Sequence, residues 1–289
     1  MKFFKNIILL LGVLLSLTSC SDPNFFKQFS KQDSDEALYH EALKKIDALD
    51  WDAAINIMAN QLSASYKQSV KVRESLMGAY AGKCGLSFVT LVSGLASSTG
   101  GIFKLALGAF GGLQVDVASC DSAALILQSL GSSTERTQNQ NLYAAILGLT
   151  KLGVNLHNTL DTESSGIGDG AVDGGSDVCA EPVSTTAGQL TDAEIKKVIV
   201  GTGLIFENIA TLAAAIGTGN AGVDSMNAAK TACEAIAGVG NCTITDEGST
   251  AITPQAIRFF RRLVASSSMG VGSCDISVPL SCCPALAVP

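Results

Sequence analysis

The chain is poor in charge. Only 16% of its 289 residues are Asp, Glu, Lys or Arg, against roughly 25% in an average soluble domain. Hydrophobic residues reach 47%, so a disordered chain is excluded, because such chains combine low hydrophobicity with high charge. Basic residues are the scarcer sign, 19 against 26 acidic, a net charge of −7. That sign is wrong for holding phosphates, so no nucleic-acid partner is expected. Histidine is limited to His40 and His157, tryptophan to Trp51, and proline to six residues. No G-x-x-x-x-G-K-[ST], G-x-S-x-G or H-E-x-x-H run occurs, so no phosphate loop, nucleophile elbow or zinc-protease motif is present. Cysteines are not spaced as C-x2-C, and neither metal nor cofactor is expected from them. His40 falls on the charged side of a helix and His157 near a helix end, where solvated or capping roles are expected rather than catalysis. The chain is read as a non-enzyme; a hydrolase with unrecognised residues is the minor third class.

Glycine is plentiful, at 29 residues, and cysteine stands at nine, an odd number. The first twenty residues account for the odd one. Lys2 and Lys5 precede the apolar run Ile7 to Leu15, which ends in Leu17-Thr18-Ser19-Cys20. A basic start, a short apolar stretch and small residues form a secretory signal. The run is shorter than the roughly 20 residues a spanning helix needs. The tetrad Leu17-Thr18-Ser19-Cys20 resembles the lipobox of bacterial lipoproteins. That resemblance implies cleavage after Ser19, diacylation of Cys20 through its sulfur and acylation of the new amino group. Two or more acyl chains make a stable membrane anchor. In some lipoproteins an Asp directly after the cysteine retains the protein in the inner membrane; here Ser21 holds that place and Asp22 is one further on. The resemblance therefore implies the outer membrane, facing the periplasm or the surface. Residues 1–19 are read as the signal, 20–33 as a tether and 34–289 as one all-helical domain.

Eight cysteines remain: Cys84, Cys120, Cys179, Cys233, Cys242, Cys274, Cys282 and Cys283. In an oxidising compartment they read as up to four disulfides, although 105 pairings are open. Cys233 and Cys242 flank a helix end and turn and could close locally. Cys84 and Cys120 bracket an apolar segment and could staple it. Adjacent Cys282 and Cys283 should take separate partners, with Cys179 and Cys274 left for them.

Hydrophobic spacing argues for an all-α fold, a helical bundle or a short helical array. Ser34 is a candidate N-cap, followed by Asp35 and Glu36 in the first turn. Leu38, Ala42, Leu43, Ile46 and Leu49 recur at helical spacing. Asp50-Trp51-Asp52 breaks the pattern, and Ala53, Ala54, Ile57, Met58 and Leu62 resume it. This pair, with an aromatic at the turn and Ala42 at the close contact, resembles one tetratricopeptide unit. A third helix is expected over 68–82. The resemblance implies a groove for a peptide or partner helix, with Tyr39, Trp51 and Tyr80 as candidate contacts. The expected partner is another protein of the cell envelope.

Residues 86–113 hold a single charge, Lys104. Two buried helices, 86–97 and 102–110, are the expectation; insertion into a bilayer is the alternative function, a membrane-active or lipid-binding protein. Helices are also expected over 122–130, 135–160, 191–217, 220–238 and 254–265. Thr191 with Glu194 makes a capping box, and Pro254 stands at a first helical position behind Thr253. Between Lys151 and Lys196 lie eight acids and no base. Within that window, 161–190 is Gly-, Ser- and Asp-rich and reads as a long surface loop. Asp169, Asp173 and Asp177 recur every four residues, a pattern that offers oxygen ligands to Ca2+ without meeting the EF-hand spacing. Arg258, Arg261 and Arg262 read as a solvated face of the last helix, with pairing to the acidic loop or to anionic lipid as alternatives.

Overall fold

The computed structural model describes residues 33–91, 101–162, 167–182, 184, 186–217, 221–235, 242–276 and 281–286. The signal, Cys20 and almost all of the tether lie outside the described residues, as does the second half of the expected helix 86–97. Among the described residues the chain is helical and contains no strand, only two isolated bridges.

The N-terminal layer has three helices, α1 (Asp35–Asp47), α2 (Trp51–Asn56) and α4 (Val70–Cys84), with a short α3 (Ala64–Lys67) between the last two. Ser34 caps α1 by accepting from Ala37 N–H, and Lys44 and Lys45 close its last turn, where cations oppose the negative helix end. α1 stops at Asp47, before Leu49. Leu49 sits at φ 59° and is 68% exposed. Its N–H donates to Ile46 O and that of Asp50 to Lys45 O, the paired bonds of a Schellman turn with leucine in the place glycine usually takes. Helical spacing placed Leu49 on the apolar face; helix termination puts it in solvent. α2 widens into a π-helical turn, Ile57–Gln61. Ala42, Ala54, Met58, Leu62, Val72 and Ala79 form this layer's own small core.

The larger core is organised by α7 (Gln138–Leu160), which opens with a capping box of Thr137 and Gln140. The sequence pattern marks one apolar side of this helix, but from Ala144 to His157 every residue is buried. Helices hydrophobic all round belong at the centre of a fold. Around it pack α5 (Ile102–Gly108), α6 (Val117–Ser129), α8 (Asp192–Glu207), α9 (Ile209–Ile216) and α4. α10 (Ala221–Ala235) and α11 (Pro254–Ala265) complete the assembly. α6 starts at Val117, five residues before the expected start, because Asp116 caps it by accepting from Ser119 N–H. α7 and α8 cross at glycines: a Cβ on Gly148 would lie 2.6 Å from Gly201 O, and one on Gly201 2.9 Å from Gly148 O. The high glycine content serves this close approach of backbones.

The expected single helix 191–217 is two helices meeting at 62°. The N–H of Asn208 donates to Ile205 O, and its Nδ2 takes Leu204 O at 2.8 Å. A side chain that hydrogen-bonds the i−4 carbonyl competes with the helix ladder and favours a bend. Among the described residues no single helix is long and apolar enough to cross a membrane. In the 86–113 stretch, Leu91, Ile102, Phe103, Ala106, Leu107 and Phe110 are buried, whereas Phe88 and Val89 are 50% and 73% exposed. The buried reading therefore fails at those two positions.

The cysteines stand in four pairs at disulfide distance. Cα separations are 5.1 Å for Cys84–Cys120, 5.0 Å for Cys179–Cys283, 6.1 Å for Cys233–Cys242 and 5.3 Å for Cys274–Cys282.

Candidate functional site

The three aromatic candidates do not share one surface. Trp51, half-buried, lies against α4, where a Cβ on Gly82 would sit 2.7 Å from its indole. Tyr80 packs between α4 and α6 in a different cluster. Tyr39 remains near the surface, its hydroxyl 2.8 Å from Ser75 Oγ and its ring edge-on to Tyr66 at 6.2 Å. Lys71 Nζ lies 5.2 Å and 4.7 Å from the centres of those two rings.

A cleft of about 620 Å³ opens where Glu181, Pro182 and Ser184 meet the first turns of α8 and α11. Behind it stands the fully buried Arg261. Its guanidinium donates to Ala180 O at 2.6 Å, Leu190 O at 2.5 Å and Asp192 Oδ1 at 2.8 Å. The solvated-face reading of the arginines is wrong for this residue. Its charged, planar fork satisfies two carbonyls and a carboxylate at once. Arg258 is 3.6 Å from Glu181 and open to solvent, as expected for a surface pair. Phe259 and Phe260 turn inward, edge to face at 5.5 Å.

The acidic segment is also less loose than its composition implies. Asp161 is buried, and its carboxylate accepts from Asp169 N–H at 2.9 Å and Gly170 N–H at 2.8 Å. Asp173 accepts from Thr162 N–H and hydroxyl, and Asp177 from Cys179 N–H. The carboxylates that could have pooled around Ca2+ serve separate backbone turns, and no group of three or more metal-binding side chains occurs among the described residues. His157 is buried, not solvated. Its Nδ1 is 2.7 Å from Asp161 Oδ2 and its Nε2 3.2 Å from Leu113 O. A carbonyl only accepts, and this carboxylate already accepts twice. Both ring nitrogens therefore face oxygen acceptors. His157 thereby ties α7 to two loops. His40 is exposed on α1.

A third site escaped the sequence reading. A groove runs between α6 and residues 244–247, in two lobes of about 130 and 340 Å³ that meet at Gln128 and Asp246. Gln128 reaches across it to Thr245 O. The smaller lobe is floored by Lys151, whose side chain is 2% exposed and paired with Asp121 and, at 2.7 Å, with Glu247. Lys197 meets the other Asp121 oxygen at 2.6 Å. Burial alone would raise the Asp121 carboxyl; the bonds from Lys151 and Lys197 outweigh it and hold the group below the usual carboxylate range. The larger lobe holds Arg136, 3% exposed in its side chain. Its Nε donates to Asn141 Oδ1 at 3.0 Å and one terminal nitrogen to Glu207 Oε2 at 2.9 Å. The sequence signal for this site was present: Lys151 is the one charge within the apolar run from Ala144 to Leu156. A lone charge there requires buried partners, but their identity depends on segments about 30 and 96 residues away in the chain.

No family model, curated protein or solved structure matches this chain.

Proposed function

We propose that this protein is an exported, lipid-anchored lipoprotein of the bacterial outer membrane, acting as a helical binding or structural module rather than a catalyst. The observation that carries the reading is the cysteine count behind the lipobox-like tetrad. One cysteine is set aside for lipid, and the other eight stand in four pairs at disulfide distance. Paired thiols belong to an oxidising compartment. Preformed clefts between rigid helices support a binding role, and a protein of the envelope is the expected partner. Fractionation of cells with Cys20→Ala tests the anchor. The variant should leave the membrane pellet for the soluble periplasmic fraction, with eight oxidised cysteines by non-reducing mass spectrometry. A variant that still pellets after carbonate washing, or one with free thiols, overturns the reading.

Exposed Phe88 and Val89 favour a second reading, contact of the 86–113 stretch with lipid. Burial of its other described apolar residues ranks it behind the first. Leakage of liposomes that is abolished by Phe88→Ser with Val89→Ser would bring it forward.

A further inference from the structure

The four cysteine pairs do not all follow the order of the chain. Cys84–Cys120, Cys233–Cys242 and Cys274–Cys282 each join successive cysteines, over 36, 9 and 8 residues. Cys179–Cys283 spans 104 residues and encloses two of those pairs. In a chain made from its N-terminus, Cys179 is available long before Cys283. Adjacent Cys282 and Cys283 add a second ambiguity. Closing Cys274 onto Cys283 instead of Cys282 lengthens the loop by one residue, and closure entropy grows so slowly with length that the two loops cost nearly the same. Oxidation of an unfolded chain therefore gives the swapped set, Cys274–Cys283 with Cys179–Cys282, as readily as the native one. Local chain geometry does not choose between them; the core does. Cys283 is 2% exposed and belongs to the cluster around α7 together with Leu190, Val178 and Leu286, whereas Cys179 and Cys274 pack at its edge. Cys282 is 1% exposed. Disulfide exchange requires access to a sulfur, so the burial that selects the native set also seals it.

We infer that this chain is the substrate of a thiol–disulfide isomerase, an enzyme whose reactive thiolate rearranges disulfides without net oxidation. That thiolate attacks the Cys283 sulfur of a Cys274–Cys283 bridge, forms a mixed disulfide and releases the Cys274 thiolate. Cys274 then attacks the Cys282 sulfur of the Cys179–Cys282 bridge and releases the Cys179 thiolate. Cys179 attacks Cys283 in the mixed disulfide and restores the isomerase thiolate. Two bridges are exchanged for two others, and no electrons are gained or lost. The species attacked is the incompletely folded chain, in which these sulfurs are open. Where the chain meets such an enzyme rests on the export reading; the exchange itself is a property of the cysteines alone.

The test is oxidative refolding of residues 20–289 carrying Cys20→Ser, reduced in denaturant and diluted directly into oxidant. Diamide, which closes disulfides without supplying a thiol, is compared with mixed reduced and oxidised glutathione, alone and with added protein disulfide isomerase. Partial reduction with differential alkylation, read by tandem mass spectrometry between residues 282 and 283, counts native and swapped sets. With diamide the ratio of native to swapped should be about one, because the two closures cost nearly the same. With glutathione it should rise at least about tenfold, as burial of one core side chain then decides the equilibrium. Added isomerase should reach that higher ratio sooner. A native excess already complete with diamide would show that folding precedes pairing, and a swapped set left in place by glutathione and isomerase would show that the core does not select; either overturns the inference. A chain that fails the Cys20→Ala fractionation leaves these ratios unchanged, so failure of the anchoring reading is told apart.

Discussion

The N-terminal layer and the assembly around α7 bury their apolar faces by different routes. In the layer, α1, α2 and α4 follow one another closely, and each has a polar side left in water. Its charges meet at the surface: Lys83 with Asp52 at 2.7 Å, and Lys45 with Asp50 at 3.2 Å. Pairs of this kind contribute about 0–1 kcal/mol each. Around α7 the charges are interior. Arg261, Lys151 and Arg136 are almost wholly enclosed and joined to carboxylates far away in sequence. A buried ion is costly unless it is paired and hydrogen-bonded, so each of these residues makes the placement of a distant segment obligatory. The layer could tolerate loss of any one charge; the assembly could not.

That contrast can be broken by mutation. The largest effect is expected from Cys179→Ser with Cys283→Ser. This pair spans 104 residues and pins the acidic segment to the C-terminal tail. Removing a closure of that length should cost about 4–5 kcal/mol, read as a lower denaturation midpoint in urea without reductant. Arg261→Ala comes next. It leaves Ala180 O and Leu190 O without their donor, at about 1–3 kcal/mol for each buried acceptor left unsatisfied, whereas the 61% exposed Asp192 side chain returns to water. Equilibrium unfolding should show the loss; a cost under 1 kcal/mol would mean that water reaches the site and that the interior is less closed than described. The smallest effect belongs to the layer: Ser34→Ala removes one cap, worth about 1 kcal/mol. Hydrogen exchange should quicken in the first turn of α1 and stay unchanged in α7. Faster exchange in α7 as well would show that the two regions unfold as one unit.

The same contrast explains what was legible. Caps and breaks act over three or four residues, so Ser34, Thr191 with Glu194, and Thr253 with Pro254 could be read directly, and the all-α class with them. Leu49 and the break at Asn208 escaped the spacing because a leucine there takes a left-handed turn and a 62° bend falls within an otherwise continuous apolar pattern. Both residue types occur freely inside helical patterns. The burial of Arg261, His157 and Asp161 was invisible for another reason: a charged residue reads as solvated until its partners are known. Of the candidate groove only the lone charge of Lys151 left a trace. Arg136 and Asp246 lie 110 positions apart and share no local pattern.

Periodicity, capping chemistry and composition by themselves determined a helical chain with nine cysteines. They did so because helices are stabilised by near neighbours and thiol number is a matter of composition. Tertiary structure alone decided which thiols stand together, which helix is wrapped on all sides and which cations are enclosed. Those outcomes rest on contacts between distant segments, where one carbonyl or carboxylate sets whether a charge faces water or the core.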